Sequence, residues 1–320
     1  MPEEVLKSRS VLGFTLYKIH RDKILHESHL NCCNFTLCML CFPNCKINIG
    51  LSVTRRRDDG YHDIETVFCP AGTDLIRGAE LNMQLHDVIE VVNAPVVSLH
   101  TSGLAVSCND QDNLVIKAYY LMKSRFPDTI SALDIFLHKT IPMGAGLGGG
   151  SADGAYILRL LNDFFQLNLT KKELAELALQ LGSDCPFFIY NTHMFATGRG
   201  EQMTDIPLDI SAYSLQIICP EVHVSTAKAF SMIKPKPAGF DLRLLPALPI
   251  SQWKNNIFND FETPVFEMHP ELAAIKANLY DQGALYASMS GSGSAIYGLF
   301  EKGRRAEHTG RTAHANFYIK

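Results

Sequence analysis

The sequence predicts an α+β fold, because its predicted strands and helices are mixed without the strict alternation of a doubly wound parallel sheet. Its length of 320 residues suffices for one large domain or for two ordinary ones. A tight turn of sequence Thr-Gly-Arg-Gly-Glu occupies residues 197–201. We therefore expect the chain to divide near this turn.

The beginning of the chain differs from the rest, since residues 1–38 show no clean hydrophobic period. We expect a leader of uncertain structure there. The first convincing strand covers residues 45–53, where alternation places Lys46 and Asn48 on one face. A second strand is predicted at 64–68, after an Asp-Asp-Gly turn.

The next segment combines short strands with a helix. The runs 87–92 and 96–100 are expected to pair with each other as a hairpin. A helix is predicted over 113–126, with a cap near Asp112 and apolar residues along one side. A strand follows at 133–139, where apolar and polar residues alternate.

Helical spacing of apolar residues predicts another helix over 151–165. Thr170 and Glu173 form a capping box at the start of the next helix, which ends near Gly182. An apolar run follows at 187–190. The same periodicities predict the later elements: a strand at 214–219, a helix from Thr226, helices over 255–266 and 270–282, and a strand at 295–300.

The composition is that of an ordinary globular protein, with 47% apolar and 19% charged residues. A formal net charge of −4 argues against a nucleic-acid-binding protein, which usually carries a basic face. No apolar run is long enough to cross a membrane, and the first 30 residues lack a signal-peptide layout. We expect a cytoplasmic protein, with an organellar address as the alternative. Its nine cysteines are expected to be reduced, and the Cys-x-x-Cys at 38–41 lacks the second ligand pair of a zinc finger.

Five glycines lie among the seven residues 144–150, directly before a predicted helix. Glycine lets backbone N–H groups approach a ligand closely, and a helix start adds unpaired N–H groups. This combination predicts an anion site, most obviously for a polyphosphate. The dinucleotide fingerprint Gly144-x-Gly146-x-x-Gly149 is matched, but about 20 residues later a helix starts where a ribose-binding acid should end a strand. The P-loop pattern fails because no Gly-Lys-Ser/Thr follows.

Three motifs in a fixed order resemble those of the GHMP kinases, the family named for galactokinase and the homoserine, mevalonate and phosphomevalonate kinases. They are the lysine strand at 46–48, the glycine loop at 142–152 and a late Gly-Ser-Gly-Ser at 291–294. The resemblance implies a two-lobed α+β fold. Its N-terminal lobe, over 39–197, would be ribosomal-protein-S5-domain-2-like, and its C-terminal lobe, over 198–320, ferredoxin-like.

Within this family the chain is most similar to the members that phosphorylate a cytidine-diphosphate-linked methylerythritol in the non-mevalonate isoprenoid route. The similarity lies in the blocks 43–48, 59–66, 142–153, 182–188, 198–201 and 288–294. It implies ATP and Mg²⁺ as cofactors, a small-molecule substrate, and no nucleic-acid or membrane partner. Monomer and dimer both remain open. The alternatives are a family member acting on a mevalonate- or homoserine-like alcohol, and a relative that binds nucleotide without catalysis.

The resemblance implies that Asp184 and Lys46 carry out the chemistry. Asp184 is the expected base, and Lys46 is expected to keep it ionised and to polarise the attacking hydroxyl. Ser151 is expected to contact a phosphate or Mg²⁺, and Asn113 and Lys139 are expected near the adenine. The residues expected to hold the phosphates are Pro142, Met143, Gly144, Ala145, Gly146, Leu147, Gly148, Gly149, Gly150, Ser151 and Ala152.

The resemblance also implies a cytidine pocket, in which flat rings stack on the base and a polar group reads its edge. The expected substrate-binding residues are Asn48, Tyr61, His62, Thr226 and Phe230. Asp153 departs from the family pattern, in which asparagine is common. An acid beside a phosphate is unfavourable unless it faces away or helps to hold a metal ion.

Overall fold

Three four-stranded β-sheets form the framework of the part of the chain that the structure describes. The computed structural model describes residues 38–72, 85–106 and 109–307 and the backbone of 315–319. The leader expected at residues 1–38 lies outside these ranges apart from Cys38. The described strands are β1 (Cys38–Cys41), β2 (Cys45–Arg56), β3 (His62–Ala71), β4 (Val88–Asn93), β5 (Ser98–Gly103), β6 (Leu133–Lys139), β7 (Met194–Thr197), β8 (Gln202–Asp205), β9 (Tyr213–Cys219), β10 (Tyr286–Met289), β11 (Ile296–Glu301) and β12 (Ala315–Ile319).

Helices are interspersed among these strands. The described α-helices are α1 (Leu114–Arg125), α2 (Gly149–Phe164), α3 (Lys171–Leu181), α4 (Cys185–Tyr190), α5 (Thr226–Ser231), α6 (Ile250–Asn256), α7 (Glu262–Met268) and α8 (Pro270–Asp281). Short 3₁₀ helices cover Asp110–Asp112 and Leu242–Ala247. None of the helices in the described ranges is long and apolar enough to span a membrane.

The first sheet has the strand order β1-β4-β6-β5. β6 pairs antiparallel with β4 and parallel with β5, so β4 and β5 are not paired with each other. The hairpin expected from residues 87–92 and 96–100 is therefore wrong. The different burial of β5 and β6 explains why these strands pair in this order. β6 buries Leu133, Ile135 and Leu137 and takes an interior position, whereas β5 is largely exposed and suits an edge.

The second and third sheets follow the orders β2-β3-β7-β8 and β10-β11-β9-β12, and all their pairs are antiparallel. The tight turn predicted at 197–201 is confirmed, because it joins β7 to β8 as a hairpin. The lobe boundary expected between residues 197 and 198 falls within this hairpin and stays a prediction.

Local signals set the helix starts. The capping box of Thr170 and Glu173 is present at the start of α3, as predicted. α1 is capped by Asn113, whose side chain accepts a hydrogen bond from Val115 N at 2.9 Å.

The prediction of a single helix over 255–266 is wrong, since two separate helices, α6 and α7, occur there. The residues between them pair with β2 instead, through Leu51 N to Phe258 O and Asp260 N to Leu51 O.

β2 is the element that connects the parts of the fold around the site. Its residues Ile47 and Ile49 share a buried core with Ile217 of β9 and with Tyr297 and Leu299 of β11. β2 also contacts α2 and β10. The glycine-rich segments before α2 and after β10 are thereby brought to the same strand.

Candidate active site

The glycine loop, residues 142–148, connects β6 to α2. Gly144, Gly146 and Gly148 have φ angles of 71°, 77° and 73°, a left-handed conformation that residues with a side chain rarely adopt. A Cβ atom on Gly146 would lie 2.0 Å from the carbonyl oxygen of Ser290. Glycine is therefore required at this position both by backbone conformation and by close approach.

The hydrogen bonds of the loop are distributed unequally between its carbonyl and amide groups. Three carbonyls accept hydrogen bonds from other segments: Ala145 O from Ala295 N (3.0 Å), Gly146 O from Ser290 Oγ (2.8 Å) and Leu147 O from Lys46 N (2.9 Å). Within the described part of the chain, no backbone N–H of residues 143–151 donates a hydrogen bond to the protein. The loop thus presents a run of unused donors next to the start of α2, which is the arrangement that binds anions.

Lys46 and Asp184 meet beside this loop. Lys46 Nζ lies 3.5 Å from Asp184 Oδ2, and the side chains are 5% and 31% exposed. A Cβ on Gly148 would lie 3.2 Å from Lys46 Cγ and Cε, so the lysine stem packs against the loop. Burial lowers the pKa of Lys46, and the charge of Asp184 opposes that shift. The structure therefore brings together the loop, the ammonium group and the carboxylate that the sequence singled out.

Asn48 lies on the same face of β2 as Lys46, as the alternation predicts. Its Oδ1 accepts a hydrogen bond from Lys46 Nζ at 2.6 Å, and its Nδ2 donates to Thr66 Oγ1 at 3.0 Å. The residue is 2% exposed. Its side chain orients the ammonium group in this structure, and direct binding of substrate hydroxyls by Asn48 stays a prediction.

The second glycine segment, residues 290–294, closes the site from the other side. Ser290 Oγ accepts a hydrogen bond from Asn48 N at 3.2 Å and donates to the carbonyl of Gly146. Asn259 Nδ2 donates to the carbonyls of Met289 and Gly291, both at 2.8 Å. Main-chain and side-chain bonds thus hold this segment against β2 and the glycine loop.

A cavity of about 1090 Å³ gathers four of the residues expected to bind substrate: Tyr61, His62, Thr226 and Phe230. Because cytidine is the ligand expected there, this cavity is called the cytidine cleft. The rings of His62 and Phe230 are stacked, with centroids 5.0 Å apart and planes inclined by 18°. Tyr61 is 59% exposed. The Arg199 guanidinium lies 5.2 Å from the centroid of its ring. This arrangement offers flat apolar surface to a ligand ring.

Gly182 and Ser183, the two residues before Asp184 in the chain, also line the cleft. Thr226 Oγ1 lies 3.0 Å from the hydroxyl of Ser292, so α5 is tied to the second glycine segment. Burial, and secondarily the charge of Arg56, lower the pKa of His62. A neutral imidazole can both donate and accept a hydrogen bond, which suits it to read the polar edge of a base.

Asn113 and Lys139, the two residues expected near the adenine, are both buried. The Asn113 side chain is used as the cap of α1. The Lys139 side chain is 1% exposed, and its Nζ lies 2.6 Å from Asp153 Oδ2 and also donates to Asp87 Oδ2. An adenine contact of either residue stays a prediction, which these positions do not support.

This buried cluster of Asp87, Lys139 and Asp153 holds the start of the glycine loop. Asp87 Oδ1 accepts hydrogen bonds from Thr140 N (2.6 Å) and Ile141 N (2.9 Å). Asp153 faces this cluster, so the acid that departs from the family pattern forms an ion pair with Lys139. Although burial alone would lower it, the carboxylates of Asp153 and Asp87 raise the pKa of Lys139. Burial and the charge of Asp87 raise the pKa of Asp153.

Replacing Lys139 by methionine is expected to lower the free energy of unfolding by about 3–5 kcal/mol, because two buried carboxyl groups lose their cation. Lys139 opposes the rise that burial and Asp87 cause in the pKa of Asp153, so without the ammonium group that pKa should rise further. The folded variant then keeps a carboxyl proton that the unfolded chain has released, which makes its stability fall as pH rises. The loss should therefore be larger at pH 8 than at pH 5 in urea unfolding. The matched control is Lys172→Met, which changes an exposed lysine and should cost less than about 0.5 kcal/mol. Equal losses in both variants would contradict this role of Lys139.

Ser151 lies in the first turn of α2, near the thiol of Cys185, the first residue of α4. Burial raises the pKa of that thiol to about 12, so Cys185 is a neutral neighbour at physiological pH. No group of three or more histidine, cysteine or acidic side chains suited to a metal ion occurs in the described ranges. A metal ion that enters with phosphate oxygens needs only one or two protein ligands. Ser151 therefore fits such an ion, and its contact with Mg²⁺ stays a prediction.

Comparison with protein families places this geometry in a known context. The model for the GHMP kinases N terminal domain matches residues 113–192, and that for the GHMP kinases C terminal matches residues 244–319. A 4-diphosphocytidyl-2-C-methyl-D-erythritol kinase of Bacteroides thetaiotaomicron is 47% identical over 267 residues, covering 82% of this chain and 92% of that protein. The chain belongs to the GHMP kinase family. The resemblance inferred from the three motifs is thereby confirmed.

Solved structures of GHMP kinases share the fold. A crystal structure of 4-(cytidine 5'-diphospho)-2C-methyl-D-erythritol kinase matches with a TM-score of 0.64 at 30% identity, over 82% of this chain and 90% of that one. A mevalonate kinase structure matches with a TM-score of 0.62 at 12% identity, over 88% and 98% of the two chains. The α+β GHMP kinase fold is confirmed by these matches.

Sequence reasoning missed the residues that support the site from behind. Asp87, Asn259 and Ser290 hold the glycine segments through hydrogen bonds to backbone groups distant in the chain. Asp87 precedes a strand and Asn259 lies between two helices, positions where such residues commonly occur. The sequence therefore contained no local signal for their roles. Ser290 belongs to a motif that the sequence singled out, although its contact with Gly146 was not foreseen.

Proposed function

We propose that this GHMP kinase transfers the γ-phosphoryl group of ATP to the 2-hydroxyl of 4-diphosphocytidyl-2-C-methyl-D-erythritol. The observation that carries the proposal is the Lys46–Asp184 pair, 3.5 Å apart beside a loop with unused amide donors. The names of the relatives with 47% and 30% identity support the choice of substrate. A cytoplasmic site of action remains the expectation from sequence.

Phosphoryl transfer depends mainly on positioning and on neutralisation of charge. The amides of residues 143–151 bind the phosphates of ATP. ATP supplies the transferred group, and Mg²⁺ would neutralise charge on its phosphates. Ser151, at the start of α2, is the protein group best placed to assist that ion. The tethered carbonyls of the loop keep these amides in a fixed arrangement.

Asp184 accepts the proton of the attacking hydroxyl and aims its oxygen at the phosphoryl group. At 31% exposure, its side chain remains accessible to a ligand from solvent. Lys46 stabilises negative charge on both the carboxylate and the attacking oxygen. Asn48 holds the ammonium group in place through the 2.6 Å hydrogen bond to its Oδ1.

The cytidine cleft selects the acceptor. A pyrimidine ring can stack on the exposed face of Tyr61 or on the wall that His62 and Phe230 form. An alcohol without a nucleotide has no use for such a surface. This feature favours a cytidine-linked substrate over a mevalonate- or homoserine-like alcohol.

An assay of ADP release should separate the candidate substrates. The purified chain with MgATP is expected to turn over 4-diphosphocytidyl-2-C-methyl-D-erythritol with kcat/KM at least about 10³-fold above mevalonate or homoserine, since the site loses stacking and polar contacts with those alcohols. Phe230→Ala should raise KM for the cytidine substrate by about tenfold with little change in kcat. Preferred turnover of another alcohol would overturn the substrate assignment. Absence of turnover with bound ATP would point to a relative without catalysis.

A further inference from the structure

Asn259 lies between α6 and α7, outside both glycine segments, and both ends of its side-chain amide bind backbone groups. Its Nδ2 donates to the carbonyls of Met289 and Gly291, both at 2.8 Å. Its Oδ1 accepts a hydrogen bond from Phe261 N at 2.9 Å. The residue is 4% exposed. The bond to Phe261 fixes the orientation of the amide, so that its two N–H groups point at the second glycine segment.

The two carbonyls that Asn259 binds belong to the peptide groups on either side of Ser290 and Gly291. A peptide group is planar, so fixing its carbonyl fixes the whole group. Asn259 therefore restrains the backbone at both ends of this pair. The Ser290 hydroxyl, held in this way, accepts a hydrogen bond from Asn48 N at 3.2 Å and donates to the Gly146 carbonyl at 2.8 Å.

Gly291 extends the same restraint toward the lysine. A Cβ atom on Gly291 would lie 3.3 Å from Gly146 Cα and 3.4 Å from Asn48 Oδ1. The Gly291 backbone thus lies close to both the glycine loop and the side chain of Asn48, whose Oδ1 accepts a hydrogen bond from Lys46 Nζ at 2.6 Å. Because protein interiors are close-packed, a displacement of Gly291 is transmitted to both neighbours.

We infer that Asn259 is a positioning residue for phosphoryl transfer, which holds Ser290 and Gly291 so that the glycine loop and the Lys46 ammonium group keep a fixed separation. This inference rests on the proposed function, in which the loop binds ATP and Lys46 acts at the attacking hydroxyl. Transfer requires the phosphoryl group and the attacking oxygen to be aligned, and a misplacement of about 1 Å can cost about 10²-fold in rate. Asn259 acts on this alignment through Ser290 and Gly291.

Asn259→Ser tests the inference in the full chain. Serine can still cap Phe261 N, but it is too short to bind the carbonyls of Met289 and Gly291. The Kd for ATP, titrated calorimetrically with Mg²⁺ and without acceptor, is expected to rise about tenfold, and kcat to fall about 10–10²-fold. KM for the cytidine substrate should stay within about twofold, because the retained cap keeps Phe261 against Phe230, with ring centroids 4.8 Å apart. A variant that was only partly folded would lower the calorimetric stoichiometry and leave Kd unchanged.

Ser290→Ala is a second variant, which removes only a hydroxyl group and does not depend on how Asn259→Ser folds. It is expected to raise the Kd for ATP about fivefold, because the Gly146 carbonyl loses its partner. If Asn259 acts through Ser290, the double variant should bind ATP at most about twofold more weakly than Asn259→Ser alone. Independent effects would multiply to about 50-fold.

Two controls match these changes in chemistry and in place. Asn256→Ser makes the same substitution at an exposed amide of α6, whose Nδ2 donates to Gln252 O at 2.8 Å. Tyr280→Phe removes a hydrogen bond of 3.1 Å to Ala287 O, and so weakens the support of β10 away from the second glycine segment. Both controls should leave the Kd for ATP and kcat unchanged.

The outcomes separate the positioning role of Asn259 from the proposed function. Unchanged ATP affinity in either Asn259→Ser or Ser290→Ala, or effects that multiply in the double variant, would overturn the inference while leaving the proposed function intact. An equal loss of ATP affinity in Tyr280→Phe would also overturn it, since any weakening of β10 would then suffice. If the unmodified chain did not bind ATP, the proposed function itself would fail.

Discussion

Asp184→Asn is expected to lower kcat by about 10³-fold, because the amide keeps the shape of the side chain but cannot accept the proton of the attacking hydroxyl. Binding of ATP should change by less than about twofold, since in the proposed function the loop binds phosphate through backbone amides and not through Asp184. Asp184 makes no capping hydrogen bond to α4, so the substitution should also leave folding intact.

Single-turnover phosphorylation and calorimetric titration of ATP measure these two effects separately. Asp128→Asn is a suitable control, because Asp128 is exposed and, in the part of the chain that the structure describes, forms no ion pair. It should leave kcat unchanged. Near-normal turnover by Asp184→Asn would show that proton acceptance at this position is not part of the reaction.

Lys46→Met is expected to lower kcat by about 10²–10³-fold, since methionine fills a similar volume but supplies no charge where negative charge develops. The wild-type rate should also fall at high pH through loss of the Lys46 proton. Because burial lowers the pKa of Lys46, that fall should begin below the ordinary lysine pKa of about 10.4. The alkaline limb should be absent from the residual activity of the variant.

The control for this change is Lys172→Met, at an exposed site of α3, which should retain the full rate and the alkaline limb. A pH–rate profile from about pH 6 to 10.5 for the three proteins measures both expectations. A profile of the Lys46 variant that kept the wild-type limb would assign the titrating group elsewhere.

The sequence predicted well the features that depend on neighbouring residues. The strand at 133–139 and the capping box of Thr170 and Glu173 rest on local periodicity and local hydrogen bonds, and both occur as expected. Short strands such as β7, β8 and β10 have only four residues each, too few to show a period. They are stabilised by partners far away in sequence.

Topology and the support of the site depended on tertiary contacts. The pairing of β6 with both β4 and β5 is decided by which strand buries more apolar surface. The motifs led to Lys46 and Asp184, which the structure brings together. The cluster around Lys139 was not predicted, because a buried ion pair between Lys139 and Asp153 requires spatial knowledge that the sequence does not contain.

The close approach of Gly146 to the carbonyl of Ser290 means that the two halves of the site tolerate amino-acid substitution differently. The half that we propose to bind phosphate is fixed main chain against main chain, so substitutions nearby have little freedom to reshape it. The acceptor half is built from side chains such as Tyr61 and Phe230, which can be exchanged one at a time. One frame can therefore keep its donor nucleotide while successive substitutions in the cleft adapt it to new alcohols.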